Sequence, residues 1–369
     1  MKNLYFVPAL MLLSISVFTK GLLELSSCNQ LFFTSQRTNT ENSDTTIIFK
    51  KFPKEENLRF EDFLNPELAY VRGVLLTDTS IILTDDKDFS SGYFFYEYSL
   101  TSKKVVGKYI KGGSKKGMTL APISFGLFQK NKLFLKDISL RKTIVANLSN
   151  KYSLDSVATV EYPTRQFNYT ECLLEDNTAL KSSVLDTMPE ILQITDLKND
   201  TVLKAFGHLP PSPENIPFGS WKHANLNFLF LKPDAAKAVL AWRYTDKIEI
   251  FDLKTEKGII AIGPENIELS FLPIKAGTRY MSQPTEKTTY TYRSGCVTDK
   301  FIYLLYYGKN EDSESHIDGE TIFVFDWNGK PIKKIKLDRS IQGFGITNDD
   351  SVIYAFDAGK KLIVYSKLN

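Results

Sequence analysis

The residues that do chemistry in other proteins are sparse in this chain. His208, His223 and His316 sit in separate segments, and none has a second imidazole or thiol at the spacing that holds zinc. Cys172 and Cys296 stand in apolar runs, where a cysteine behaves as a small core residue. Asp85-Asp86-Lys87-Asp88 groups three carboxylates, but in the order of a solvated hairpin turn rather than of an EF-hand loop. There is no Gly-x-Ser-x-Gly elbow, no phosphate-cradling glycine loop and no His-Glu-x-x-His pair. No catalytic residue, metal or cofactor is therefore expected. What the chain offers instead is recognition chemistry, in Arg72, Arg165, Asn168, Trp221, His223, Tyr292, Arg293 and Gln342. Guanidinium groups grip carboxylates through two parallel hydrogen bonds, and aromatic rings stack on flat or cationic groups. Such a set suits an anionic, peptide or glycan ligand, provided that the fold gathers residues spread from position 72 to position 342.

The elements that must do this gathering are strands. Ser80-Ile81-Ile82-Leu83-Thr84 and Tyr93-Phe94-Phe95-Tyr96-Glu97-Tyr98 are β-branched or aromatic runs bounded by polar turns, and no long stretch after residue 45 keeps a helical period. The third strands share an ending: Tyr98-Ser99-Leu100, Ala146-Asn147-Leu148, Thr195-Asp196-Leu197, Phe251-Asp252-Leu253, Phe325-Asp326-Trp327 and Tyr365-Ser366-Lys367. These endings recur at intervals of 40 to 56 residues, with one interval of 74 where Pro- and Gly-rich insertions, 263–290 and 308–319, swell the fifth unit. Four strands per unit at that period predict an all-β, six-bladed β-propeller of four-stranded antiparallel blades. The chain ends after a third strand, so an N-terminal strand must close the ring. Thr46 to Phe52 is the first orderly candidate. In a propeller the loops that enter the innermost strands meet at one mouth of the central channel, and the eight recognition residues lie at those entries.

Residues 1–27 read as a leader. Lys2 precedes an apolar run from Leu4 to Phe18 that is too short to span a bilayer as a helix. Leu25-Ser26-Ser27-Cys28 resembles the lipobox of bacterial lipoproteins, in which the cysteine is diacylated and becomes the new N-terminus. Cys28 is the expected lipid attachment site, residues 28–44 the polar tether and residues 45–369 the propeller. Composition agrees with a folded, non-nucleic-acid protein: 43% of residues are hydrophobic, 24% are charged, and the net charge is only +3. The lysine pairs Lys103-Lys104, Lys115-Lys116, Lys333-Lys334 and Lys360-Lys361 are spread among acidic neighbours and read as solvated turns.

The lipobox, the six weak repeats and the run Thr321-Ile322-Phe323-Val324-Phe325-Asp326-Trp327-Asn328-Gly329-Lys330-Pro331 together resemble the TolB-like six-bladed propeller lipoproteins of Bacteroidetes. Ala205-Phe206-Gly207, Ile302-Tyr303-Leu304-Leu305-Tyr306 and Ile353-Tyr354-Ala355-Phe356 continue the likeness. The family's Gly-x-Gly-Pro-Gly-Glu before the second blade is here Gly112-Gly113-Ser114-Lys115-Lys116-Gly117. The resemblance implies an envelope lipoprotein and transfers no catalytic residue. The function expected is that of a monomeric, lipid-anchored module at the periplasmic face of the outer membrane. Its channel mouth would bind a peptide, a glycan or an envelope protein. The alternative is a hydrolase, lyase or lactonase-like enzyme working through channel carboxylates.

Overall fold

The computed structural model describes residues 43–68, 71–85, 92–129, 131–148, 159–175, 177–184, 188–310, 318–357, 359 and 361–368. The expected leader and Cys28 lie outside them, as do the central residues of the Asp85 turn and His316.

The strands form a six-bladed propeller. Blade one is Val74–Leu76, Ser80–Thr84, Tyr93–Ser99 and Val105–Lys111. Blade two is Pro122–Phe128, Lys132–Asp137, Lys142–Asn147 and Thr159–Pro163. Blade three is Asn168–Glu175, Thr178–Val184, Glu190–Asp196 and Thr201–His208. Blade four is Asn227–Leu231, Lys237–Trp242, Lys247–Asp252 and Gly258–Ile262. Blade five is Thr289–Val297, Phe301–Asn310, Gly319–Asp326 and Pro331–Ile341. Blade six takes Gly343–Ile346, Val352–Asp357 and Leu362–Lys367 from the C-terminus. In every blade the shared ending falls on the third strand.

The ring is closed by an N-terminal strand, but a later one than Thr46–Phe52. Glu61–Leu64 pairs antiparallel with Leu362–Lys367, setting Tyr365 opposite Glu61 and Ile363 opposite Leu64. The earlier run, Ser43–Ile48, lies parallel along the outer edge of blade four, and Glu55–Leu58 lies parallel along blade five. Packing explains the difference. Phe49 and Phe52 turn into the core between blades four and five, where Phe49 meets Phe325 at 5.8 Å and Phe52 meets Phe323 at 4.6 Å. That aromatic area is buried in the seam between blades four and five, while the strand that closes blade six sets Phe63 against Tyr354 and Tyr365. The approach is close: a Cβ at Gly263 would lie 2.1 Å from the Phe49 carbonyl oxygen, and Gly263 has a φ of +133°.

Apolar clusters fill the seam between each pair of neighbouring blades. The seam between blades two and three is the least apolar. Its cluster, Phe128, Phe134, Tyr162, Leu173, Ala179 and Leu197, leaves room for buried charges discussed below. The insertion before blade five folds as a two-stranded hairpin, Leu272–Ala276 and Arg279–Gln283. It rests on a short helix, Phe218–Ala224, which follows the proline-rich link between blades three and four. Ser220 in the helix donates through Oγ to the Met281 carbonyl at 2.7 Å, which ties helix and hairpin together as one ledge.

Candidate functional site

The eight recognition residues do not all reach one place. Arg72 spans blades one and two, donating from Nη2 to the Pro122 carbonyl at 3.2 Å with its guanidinium 5.7 Å from the Phe125 ring. Arg165 is exposed, and its backbone N–H donates to Asp200. Asn168 is buried and donates from Nδ2 to the Thr170 carbonyl at 3.1 Å. Trp221 donates from Nε1 to the Pro210 carbonyl at 2.9 Å and packs on the cluster between blades three and four. Tyr292 is 0% exposed in the core between blades four and five, with its ring against Tyr306 and Phe323. Gln342 is half-buried, and its Oε1 has no hydrogen-bond partner among the described residues.

His223 and Arg293 do converge, and they do so on residues outside the expected set. Blade three contributes Phe167 and Tyr169 at the start of its inner strand, with their rings 5.1 Å apart. The helix contributes His223, whose ring lies 6.3 Å from Tyr169. The turn between the second and third strands of blade four contributes Arg243 and Tyr244. Blade five contributes Tyr290, Arg293 and Tyr307, and the hairpin contributes Arg279 over the Phe167 ring at 5.1 Å. Tyr244, Tyr290 and Tyr307 pack together as a small buried cluster.

Backbone contacts hold the turn of blade four in register with blade five. The Thr291 N–H donates to the Arg243 carbonyl at 3.0 Å, and Thr291 Oγ1 lies 2.8 Å from the carbonyl oxygens of both Trp242 and Thr245. One oxygen of Asp246 accepts N–H groups from Glu265 and Asn266 and the other accepts that of Ile267, which ties the next loop to the same turn. This places the Arg243 guanidinium 5.4 Å from the Tyr244 ring and 5.6 Å from the Tyr290 ring. The Arg293 guanidinium lies 5.0 Å from that same Tyr290 ring.

The electrostatics are unusual. Arg243 and Arg293 form no ion pair with any carboxylate among the described residues, and Arg243 Nε and Arg293 Nη1 are buried without a hydrogen-bond partner there. Burial, reinforced by the Arg243 charge, pulls the Arg293 pKa down to about 10. Burial and the same Arg243 charge push His223 down to about 4, so its imidazole is neutral at pH 7. Burial raises the Tyr169 phenol, with the Arg243 charge opposing, so it remains a hydroxyl donor. The Ser282 N–H donates to His223 Nδ1 at 3.2 Å, and Ser282 Oγ lies 2.7 Å from the same nitrogen. An Nδ1 that accepts leaves the ring proton on Nε2.

The mouth therefore presents two guanidinium groups, tyrosine hydroxyls and a neutral imidazole against aromatic walls. These groups can bind and orient an acceptor-bearing ligand. Among the described residues no group of three or more His, Cys, Asp or Glu is placed to hold a metal ion, and no helix is long and apolar enough to cross a membrane. Arg243 and Tyr244 fall outside the expected set because they sit on a turn from a second to a third strand, not on a loop entering an inner strand. The turns from second to third strands open on the same mouth, and an Arg-Tyr pair directly after the strand ending in Trp242 is the signal that marks them.

Fold and mouth together define a six-bladed propeller with a basic, aromatic rim. The chain belongs to the TolB-like 6-blade propeller-like family, whose model matches residues 48–349. Among solved structures it is similar to a Bacteroides fragilis protein designated exported, at 12% identity and a TM-score of 0.53, covering 88% of this chain and 99% of that one. It is also similar to the propeller domain of Cps50 (Swd1) from Myceliophteria thermophila, at 9% identity and a TM-score of 0.47 over 84% of this chain and 100% of that one. Hydrazine synthase of Kuenenia stuttgartiensis matches at 8% identity and a TM-score of 0.46, over 83% and 97%. No curated protein matches the chain.

Proposed function

We propose that this protein is a non-enzymatic binding module of the cell envelope, anchored through a diacylated Cys28 to the periplasmic face of the outer membrane. Its mouth takes a peptide, a glycan or an envelope partner. The observation that carries the reading is the convergence of Arg243, Arg293, Tyr169 and Tyr290 from three blades with buried N–H groups unmet by the described residues. Leaving a buried donor unmet costs about 1–3 kcal/mol, a cost that an acceptor on a bound ligand would remove. The leader and lipobox support the address.

A hydrolase is the second reading, and Ser282 Oγ at 2.7 Å from His223 Nδ1 is the observation that favours it. Three features weigh against it: Ser282 is buried, its own N–H shares the same nitrogen, and a base with a pKa of about 4 takes up protons poorly at pH 7. Two experiments test the proposal. Labelled palmitate incorporation, lost in Cys28→Ala, supports the anchor, and label retained in that variant refutes it. Capture of peptides, glycans or envelope extract by the full chain, reduced by Arg243→Ala, supports the mouth. Turnover on a lactone or polysaccharide panel that disappears in Ser282→Ala establishes the enzyme reading in its place.

A further inference from the structure

We infer that Arg243 and Arg293 form a carboxylate site, and that the ligand read at the mouth carries its carboxylate on an aromatic or apolar group. This inference rests on the mouth being the binding surface and names the chemistry that it selects.

Both guanidinium groups lie by one ring, Tyr290, at 5.6 and 5.0 Å from its centroid. Each brings one buried N–H without an acceptor among the described residues, Nε of Arg243 and Nη1 of Arg293. Their charges oppose one another, and the Arg243 charge is felt at Arg293. Four other cations that the fold buries or half-buries each face a carboxylate. Lys136 has Glu171 at 3.6 Å, Lys181 has Asp200 at 3.5 Å, Lys142 has Glu161 at 2.7 Å and Arg339 has Asp357 at 3.3 Å. At these four positions the fold itself supplies the anion. At Arg243 and Arg293 the described residues supply none, so an incoming anion completes the arrangement.

The walls choose among anions. A carboxylate offers two acceptor oxygens, one for each of these two N–H groups. A phosphoryl dianion carries further oxygens, for which these two arginines have no further buried N–H without an acceptor. The rings of Tyr244, Tyr290 and Tyr307, with Phe167 and Tyr169 from blade three, offer edges and faces to the hydrophobic body of a ligand. Arg279 stands exposed on the hairpin above Phe167 and adds a positive approach to the rim.

The test is calorimetric titration of the full chain in detergent with benzoate, benzamide and inorganic phosphate. Benzoate is expected to bind with a Kd at or below ~10 mM, in the range of a small fragment. Benzamide is expected to bind at least about tenfold more weakly, the loss that follows when a charged acceptor is removed from a hydrogen-bonded fork. Arg243→Gln and Arg293→Gln, each keeping its melting temperature, should weaken benzoate by a similar factor and leave benzamide unmoved. If either variant fails to fold, Arg293→Lys retains the charge, removes the fork and should still weaken benzoate. Equal binding of benzoate and benzamide overturns the carboxylate site and leaves the mouth a neutral binding surface. Phosphate binding tighter than benzoate overturns the choice of anion. Failure of benzoate to bind, with envelope peptides or glycans still captured at the mouth, overturns the site alone. Failure of both sinks the binding module as well.

Discussion

Two regions of the ring bury cations, and they do it in opposite ways. In the seam between blades two and three, Lys136 is 2% exposed and faces Glu171 of the next blade, while Thr143 Oγ1 donates to the other Glu171 oxygen at 2.5 Å. Lys181, 0% exposed, faces Asp200, whose carboxylate also receives the Arg165 N–H. Two ammonium groups thus meet two carboxylates, and the seam is charge-balanced. Burial pushes the Lys136 pKa down, and the Glu171 charge works against that push. At the mouth over blades four and five, Arg243 and Arg293 sit against tyrosine rings with no carboxylate among the described residues. The seam is a closed arrangement that serves the fold. At the mouth the cationic groups lie against aromatic walls without an internal anion among the described residues, the arrangement on which the proposed binding role rests. Buried ion pairs seldom add net stability, but breaking one is costly, and this separates the two regions experimentally.

The largest effect should come from the seam. Glu171→Ala leaves Lys136 charged and buried, and should lower the unfolding free energy by about 3–5 kcal/mol in urea titrations. The paired substitution Lys136→Met with Glu171→Leu should recover most of that loss. A Glu171→Ala protein as stable as the parent would show that the seam is open to water and erase the contrast.

The next effect is a pH dependence at the mouth. His223 has a folded pKa of about 4 against about 6.5 unfolded, so between those values the unfolded chain binds the extra proton. Stability should therefore rise with pH from about 4 to about 6.5 and be complete above it, with a contribution of at most about 3 kcal/mol. Urea midpoints measured across that window should have a shallower slope in His223→Gln. An unchanged slope would place the imidazole in water and loosen the ledge.

The smallest effect sharpens the comparison most. Arg293→Met should leave the unfolding midpoint unchanged or raise it, because it removes a buried donor and one of two opposed charges while keeping most of the side-chain bulk. Lys136→Met in the same assay should lower the midpoint, because it strands Glu171. If Arg293→Met destabilised as much as Lys136→Met, the mouth would be another closed pair.

Much of the fold was legible because its signals are local. Asp196 accepts N–H groups from Lys198 and Asn199, Asp252 from Lys254 and Thr255, and Asp326 from Asn328 and Lys330. Each turn forms within four residues of its acid, so the endings of the third strands repeat visibly along the chain. The closing strand was not legible in the same way. Thr46–Phe52 and Glu61–Leu64 are both short strand-like runs, and the choice between them turned on whether Phe49 and Phe52 found Phe323 and Phe325, far along the chain. The candidate site was legible in kind, as arginines and aromatic rings at loop entries, but only His223 and Arg293 of the expected set reached the cluster. Trp221 and Tyr292 went to the core, because a large ring beside a blade seam gains more by burial than by display.

The sequence by itself determined the blade count, the strand-turn rhythm and the scarcity of catalytic motifs, since these depend on side chains acting on their own neighbours. Only the tertiary structure decided which cations were matched by a carboxylate and which were left without one among the described residues. Glu171 reaches Lys136 from the next blade, and Arg243 meets Arg293 across a blade boundary. Charge pairing is a matter of distance in space and of the dielectric around it, and neither is written in the spacing of residues along the chain.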